Sequence, residues 1–238
     1  MIEIPTDLPA ELVPLSWLIG VWEGTGVIDY AVGEERVSRE FGQRISFSHD
    51  GLPYLNYSSY TWLLPATKPV PEMPVLSEPA GDETAAGDEA LVDPDAALAA
   101  DAPTDDEATP LTAETGYWRL ARQHIEGDVG PGMLPGSGAR PFSTAQSVET
   151  LRNSHGGFDI EVSIVHPTGV SELYLGQVKG PRIDLATDAV VRTRSAKDYT
   201  AATRLYGLVE NHMLWAWDIA ALGQDLRTHA SARLAKVD

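Results

Sequence analysis

The chain contains no cysteine. That absence excludes disulfides, zinc–thiolate sites, iron–sulfur clusters and thiol nucleophiles, and it makes a reducing compartment the default. Long apolar runs are missing too, since no stretch approaches the roughly 18 residues that would span a bilayer. The opening MIEIPTDLPAEL has neither the basic region nor the apolar run of a signal peptide. A cytoplasmic protein with no membrane partner is expected. Basic residues are scarce, with 17 Lys and Arg against 35 Asp and Glu, a formal net charge of −18. Such a balance argues against sequence-independent binding of nucleic acid or anionic lipid. There is no phosphate-binding Gly-rich loop ending in Lys-Ser or Lys-Thr, no HExxH and no GxSxG. The reactive inventory reduces to His, Asp, Glu, Ser, Lys and Tyr.

What is present begins with a hydrophobic fraction of 43%, enough for a real core. The acidity is local. Between positions 65 and 110 there are twelve acids and one base, Lys68, or −11, which leaves −7 for the rest of the chain. That segment has no aromatic residue and is rich in Pro, Ala, Asp and Glu, so it reads as a disordered insertion that buries too little to offset its ordering entropy. A solubilising role and the docking of a basic partner are its two readings. Positions 122–153 read as a second, long loop insertion, its middle part GDVGPGMLPGSGARPFSTAQS being punctuated throughout by Gly and Pro. The remainder is one domain spanning 1–238.

Outside the insertions, short strands alternate with turn signals. They fall at 21–30, 37–48, 54–64, 116–121, 158–166, 171–178, 182–190, 200–209, 212–220 and 226–235. Hairpin-length links predict an all-β fold, a ten-stranded antiparallel up-and-down barrel, with a short N-terminal helix near 8–19 closing one mouth. In WLIGVWEGTG (17–26), Gly20, Trp22, Gly24 and Gly26 alternate along one strand face. Glycines there suit a sharply curved strand with another backbone close by, and Trp22 suits a plug.

Two histidines stand out. His166, in FDIEVSIVH, shares the parity of Phe158, Ile160, Val162 and Ile164, which turns it inward. A satisfied core histidine and a polar group looking into a cavity both fit. His229, in DLRTHASARL, shares the parity of Arg227, Ser231 and Arg233, so alternation alone places it outside. Only a bulge at the strand start would turn it in. His49, His124, His155 and His212 lie beside turns or loops and read as solvated.

The GxWxGxG run at 17–26 resembles the signature of the nitrobindin family of small haem-binding barrels related in shape to fatty-acid-binding proteins. The likeness continues through 46–64, 112–120, 166–178, 182–190, 195–209 and 216–234. It implies a barrel holding one haem b per chain and a peroxynitrite isomerase that converts peroxynitrite to nitrate on ferric haem and binds nitric oxide. His229 matches the family's axial iron ligand, which overrides its parity and predicts a bulge near Thr228. Lys197 matches a lysine that pairs with a haem propionate. Relatives carry Tyr-Pro-Thr where this chain has Tyr30-Ala31-Val32, histidine at Thr112, methionine at Ile219 and often glutamine at His166. The resemblance thus points to His229, His166 and Thr112 as catalytic and to Lys197, Val32 and Ile219 as cofactor neighbours, with His166 a candidate sixth ligand. A homodimer is left open. The competing reading is a haem-free barrel that holds a small apolar ligand.

Overall fold

The structure is a computed structural model that describes residues 8–32, 35–65, 108–221, 223 and 225–237. Its ten strands are β1 (Gly20–Val32), β2 (Glu35–Ser48), β3 (Leu55–Leu63), β4 (Thr109–Leu120), β5 (Phe158–His166), β6 (Val170–Lys179), β7 (Arg182–Arg192), β8 (Tyr199–Val209), β9 (His212–Ala221) and β10 (Arg227–Val237). Each pairs antiparallel with its sequence neighbours, and β1 pairs with β10, so the sheet closes. Closure leaves no free edge along the barrel wall. The β8–β9 turn has positive φ at both Glu210 and Asn211, as a two-residue turn matched to strand twist requires.

The N-terminal helix is a 3-10 helix at Ala10–Leu18, tighter than an α-helix. Leu12, Leu15 and Leu18 recur every third residue and are all buried. That spacing makes one stripe at three residues per turn. Trp22 lies beneath, 2% exposed, its indole N–H donating to the Leu18 carbonyl at 2.7 Å. Phe47, Tyr57 and Trp118 continue this core, with the Phe47 and Trp118 rings edge to face at 5.3 Å. The close approach across β1 is real: a Cβ on Gly24 would lie 2.3 Å from the Arg233 carbonyl oxygen.

In this topology, the connections after β2, β4, β6 and β8 share the plugged end with the 3-10 helix. Those after β1, β3, β5, β7 and β9 share the other end. The stretch 122–153 therefore lies at the plugged end. It is less irregular than its composition predicts: α1 (Ala145–Glu149) forms within it, capped by Thr144, whose hydroxyl accepts from the Ser147 N–H. Arg122 fastens its start through the carboxylates of Glu11 (2.9 Å) and Asp128 (2.6 Å). β3 ends and β4 begins at the opposite mouth. β4 starts at Thr109, earlier than its expected start at 116, and the expected acidic insertion shares Thr109 and Pro110 with it. A register shift opposite Thr61 and Trp62 accommodates Pro110 there. Residues 66–107 of that insertion lie outside the described residues.

Candidate functional site

At the mouth away from the helix, β10 contains one residue more than β9 allows. Thr228 pairs with Asp218 and Ala230 with Trp217, so His229 is the extra residue of a β-bulge. The bulge shifts the alternation and brings the His229 ring against Trp217, the two rings perpendicular with centroids 5.7 Å apart. Burial lowers the His229 pKa from its ordinary value, and a hydrogen bond to the Asp29 main chain opposes that shift only in part. The imidazole is therefore neutral at pH 7. A bond that favours the charged ring must be donated by it, so one ring N–H points at the Asp29 carbonyl. The other nitrogen keeps its lone pair for a ligand, the usual arrangement of a metal-bound histidine.

One step deeper lies a cluster of charge that the strand pattern places but that was not singled out as a site. Arg204 on β8 grips Glu114 on β4 with both arms, at 2.8 and 2.9 Å. Its Nε donates to the Tyr174 hydroxyl at 3.0 Å, and one arm lies 3.5 Å from Glu172 on β6. Glu172 accepts from the Tyr174 hydroxyl at 2.5 Å and from that of Tyr199, and pairs with His166 Nε2 at 2.6 Å. Tyr57 donates to Glu114 at 2.7 Å. Burial alone would raise both carboxyls. The Arg204 charge and the donated bonds outweigh it, holding Glu114 at about 2 and Glu172 below its usual value. Burial pushes Tyr174 and Tyr199 well up, so both phenols stay protonated. The sequence signal for this cluster is a charge at inward parity: Glu172 with Val170 and Tyr174, Arg204 with Ala202 and Tyr206, Glu114 with Gly116 and Trp118.

The other expected site residues are spread around this mouth. His166 is nearly buried, with Nε2 on Glu172 and Nδ1 3.6 Å from Glu114, so both ring nitrogens face carboxylates. Its ring stacks on Trp217, 12° from parallel at 6.2 Å. Ile219 is half-buried on β9, two residues on from Trp217 and paired with Arg227. Thr112 is half-buried near the start of β4, paired with Thr61. Lys197 is exposed in the turn between β7 and β8, its carbonyl accepting from Arg192 at 3.0 Å. Val32 ends β1, and its side chain lies outside the described residues.

Among the described residues, no group of three or more His, Cys, Asp and Glu side chains could hold a bare metal ion. A single neutral imidazole beside apolar and aromatic walls instead suits a metal that brings its own equatorial ligands. A family profile described as the THAP4-like, heme-binding beta-barrel domain matches residues 11–236. The chain belongs to this family. Within this haem-binding barrel family, a protein named peroxynitrite isomerase from Leifsonia xyli subsp. xyli is 67% identical over the full length of both chains. Another of that name from Clavibacter michiganensis subsp. michiganensis is 61% identical, again over both full lengths. The crystal structure of Rv2717c from M. tuberculosis shares the fold, with a TM-score of 0.58 at 22% identity over 98% of this chain and all of that one.

Proposed function

We propose that this chain is a haem-dependent peroxynitrite isomerase, holding one haem b through His229 and turning peroxynitrite into nitrate. The observation that carries the reading is the bulge that turns His229 against Trp217, with a hydrogen bond to the Asp29 main chain holding its ring. Haem-binding family membership and the full-length likeness to proteins named peroxynitrite isomerase support it. When bound, a ferric haem would supply an electrophilic iron able to take a peroxynitrite oxygen or nitric oxide. The chain's own residues bind and orient. His229 would hold the iron. Ile219 and Trp217 would provide wall, and Lys197, exposed in the turn between β7 and β8, would pair with a propionate. Thr112 is the hydroxyl on offer to a bound anion from β4. His166 acts from within, its nitrogens engaged by Glu172 and Glu114, rather than as a sixth ligand.

An absorption titration of apoprotein with ferric haem, run beside His229→Ala, tests this. A Soret band that saturates at one equivalent in wild type and is strongly weakened in the variant is the expected result. Peroxynitrite decay with nitrate as the product should then follow the same pattern. Equal uptake by both proteins removes His229 as ligand. No uptake by wild type leaves a barrel for a small apolar molecule.

A further inference from the structure

The buried charges call for a reason. Ion pairs inside a protein seldom add stability over apolar residues of similar volume, because desolvation offsets their attraction. Here two carboxylates, a guanidinium and an imidazole sit between the apolar core and the mouth, and the guanidinium and the imidazole both meet one indole. The Arg204 Cζ lies 4.3 Å from the Trp217 ring centroid, within cation–π range, and His166 stacks on the same residue. Tyr199, which donates to Glu172, packs on it as well at 6.5 Å. No hydrogen bond fixes Trp217: its buried indole nitrogen has no partner among the described residues. Its plane is set by packing against the Arg204 guanidinium and the neighbouring rings.

We infer that Trp217 is a positioning residue for His229, held from inside the barrel by Arg204 and His166. The contact is direct, the indole and the imidazole standing perpendicular at 5.7 Å. Arg204 can hold the indole because it cannot turn itself: Glu114 binds both arms, Tyr174 its Nε, and Glu172 lies beside the second arm. His166 is held likewise between Glu172 and Glu114. Trp217 holds the imidazole in the orientation at which its hydrogen bond to the Asp29 main chain persists, and with that bond a single tautomer and a fixed direction for the bare nitrogen. Orientation of a ligand by such supporting residues is worth about 10–100-fold in metal affinity. The inference rests on the reading of His229 as the haem ligand.

The test compares Trp217→Leu, Trp217→Phe and Glu172→Gln with wild type. In apoprotein carrying ¹⁵N-labelled histidine, long-range proton–nitrogen spectra should show His229 as one tautomer in wild type. Trp217→Leu should show averaged tautomers, Trp217→Phe should restore most of the single-tautomer signature, and Glu172→Gln should lose part of it. In loaded protein, Trp217→Leu should release haem about tenfold faster. A folded Trp217→Leu protein that keeps one tautomer overturns the inference. Should that variant not fold, unchanged His229 spectra in both Trp217→Phe and Glu172→Gln overturn it equally. Because the spectra are read without haem, failure of wild type to take up haem strikes the proposed function and leaves this arm readable.

Discussion

Gly26 sits where β1 passes β10 with no room for a side chain. A Cβ there would meet the Ser231 carbonyl oxygen at 2.3 Å, the Phe41 ring at 2.5 Å and the Ala232 methyl at 2.6 Å. Two of these contacts are with β10, two and three positions beyond His229, so the glycine lets the strand that carries His229 lie flat against its neighbour. Gly26→Val should destabilise the fold by about 1–3 kcal/mol, read as a lower melting temperature of the apoprotein. At this scale the sequence was uneven. The parity of Gly20, Trp22, Gly24 and Gly26 announces a tight strand around a plug. Periodicity placed His229 on the wrong face, because one extra residue in a ladder leaves no mark in the pattern of apolar positions. Only the family likeness pointed to the bulge, which the register shows between Thr228 and Ala230. Glu114, Glu172 and Arg204 stand as charges at inward parity, but each lies more than 30 residues from the other two, and no single-strand pattern joins them.

The bulge is also a property of its strand, and it can be removed as one. Deleting Thr228 should let β10 run in regular register, placing the His229 position opposite Asp218, on the face away from Trp217. The expected protein keeps its β-sheet circular dichroism and loses the Soret band with ferric haem. Retention of full haem uptake would show that the bulge does not orient the ligand. The Arg122 clasp belongs to the same scale but to the other end. Arg122→Met leaves the Glu11 and Asp128 carboxylates without their shared cation. It should lower the melting temperature and speed amide exchange in the 3-10 helix, while haem uptake stays at the wild-type level. Strand existence was readable throughout, since alternation and turn residues act locally. Limits were less so: β4 begins among residues whose composition resembles the acidic segment, and pairing with β3 extends it back to Thr109. The helix within 122–153 was hidden because its cap, Thr144, works over only five helical residues.

As a whole, the described residues form a barrel with an apolar half under the 3-10 helix, a charged layer above it and a histidine at the opposite mouth. The charged layer makes acid sensitivity predictable. Glu114 has a folded pKa of about 2 against an ordinary 4.5, and Glu172 is lowered as well. The unfolded chain takes up these protons first, so their contribution is complete above about pH 4.5 and is lost as the pH falls toward 2. Denaturant midpoints measured across that window should drop steeply, and Glu114→Gln should flatten part of the drop. The seam between β1 and β10 carries a different consequence. Every other ladder joins strands adjacent in the chain, whereas Asp29 and His229 meet only when the first strand finds the last. Contacts so remote in sequence form late, after the local hairpins have assembled. Cofactor capture is then a sign that folding has finished: during refolding, recovery of the Soret band should lag behind recovery of sheet structure, and a chain that fails to join its two ends should remain colourless.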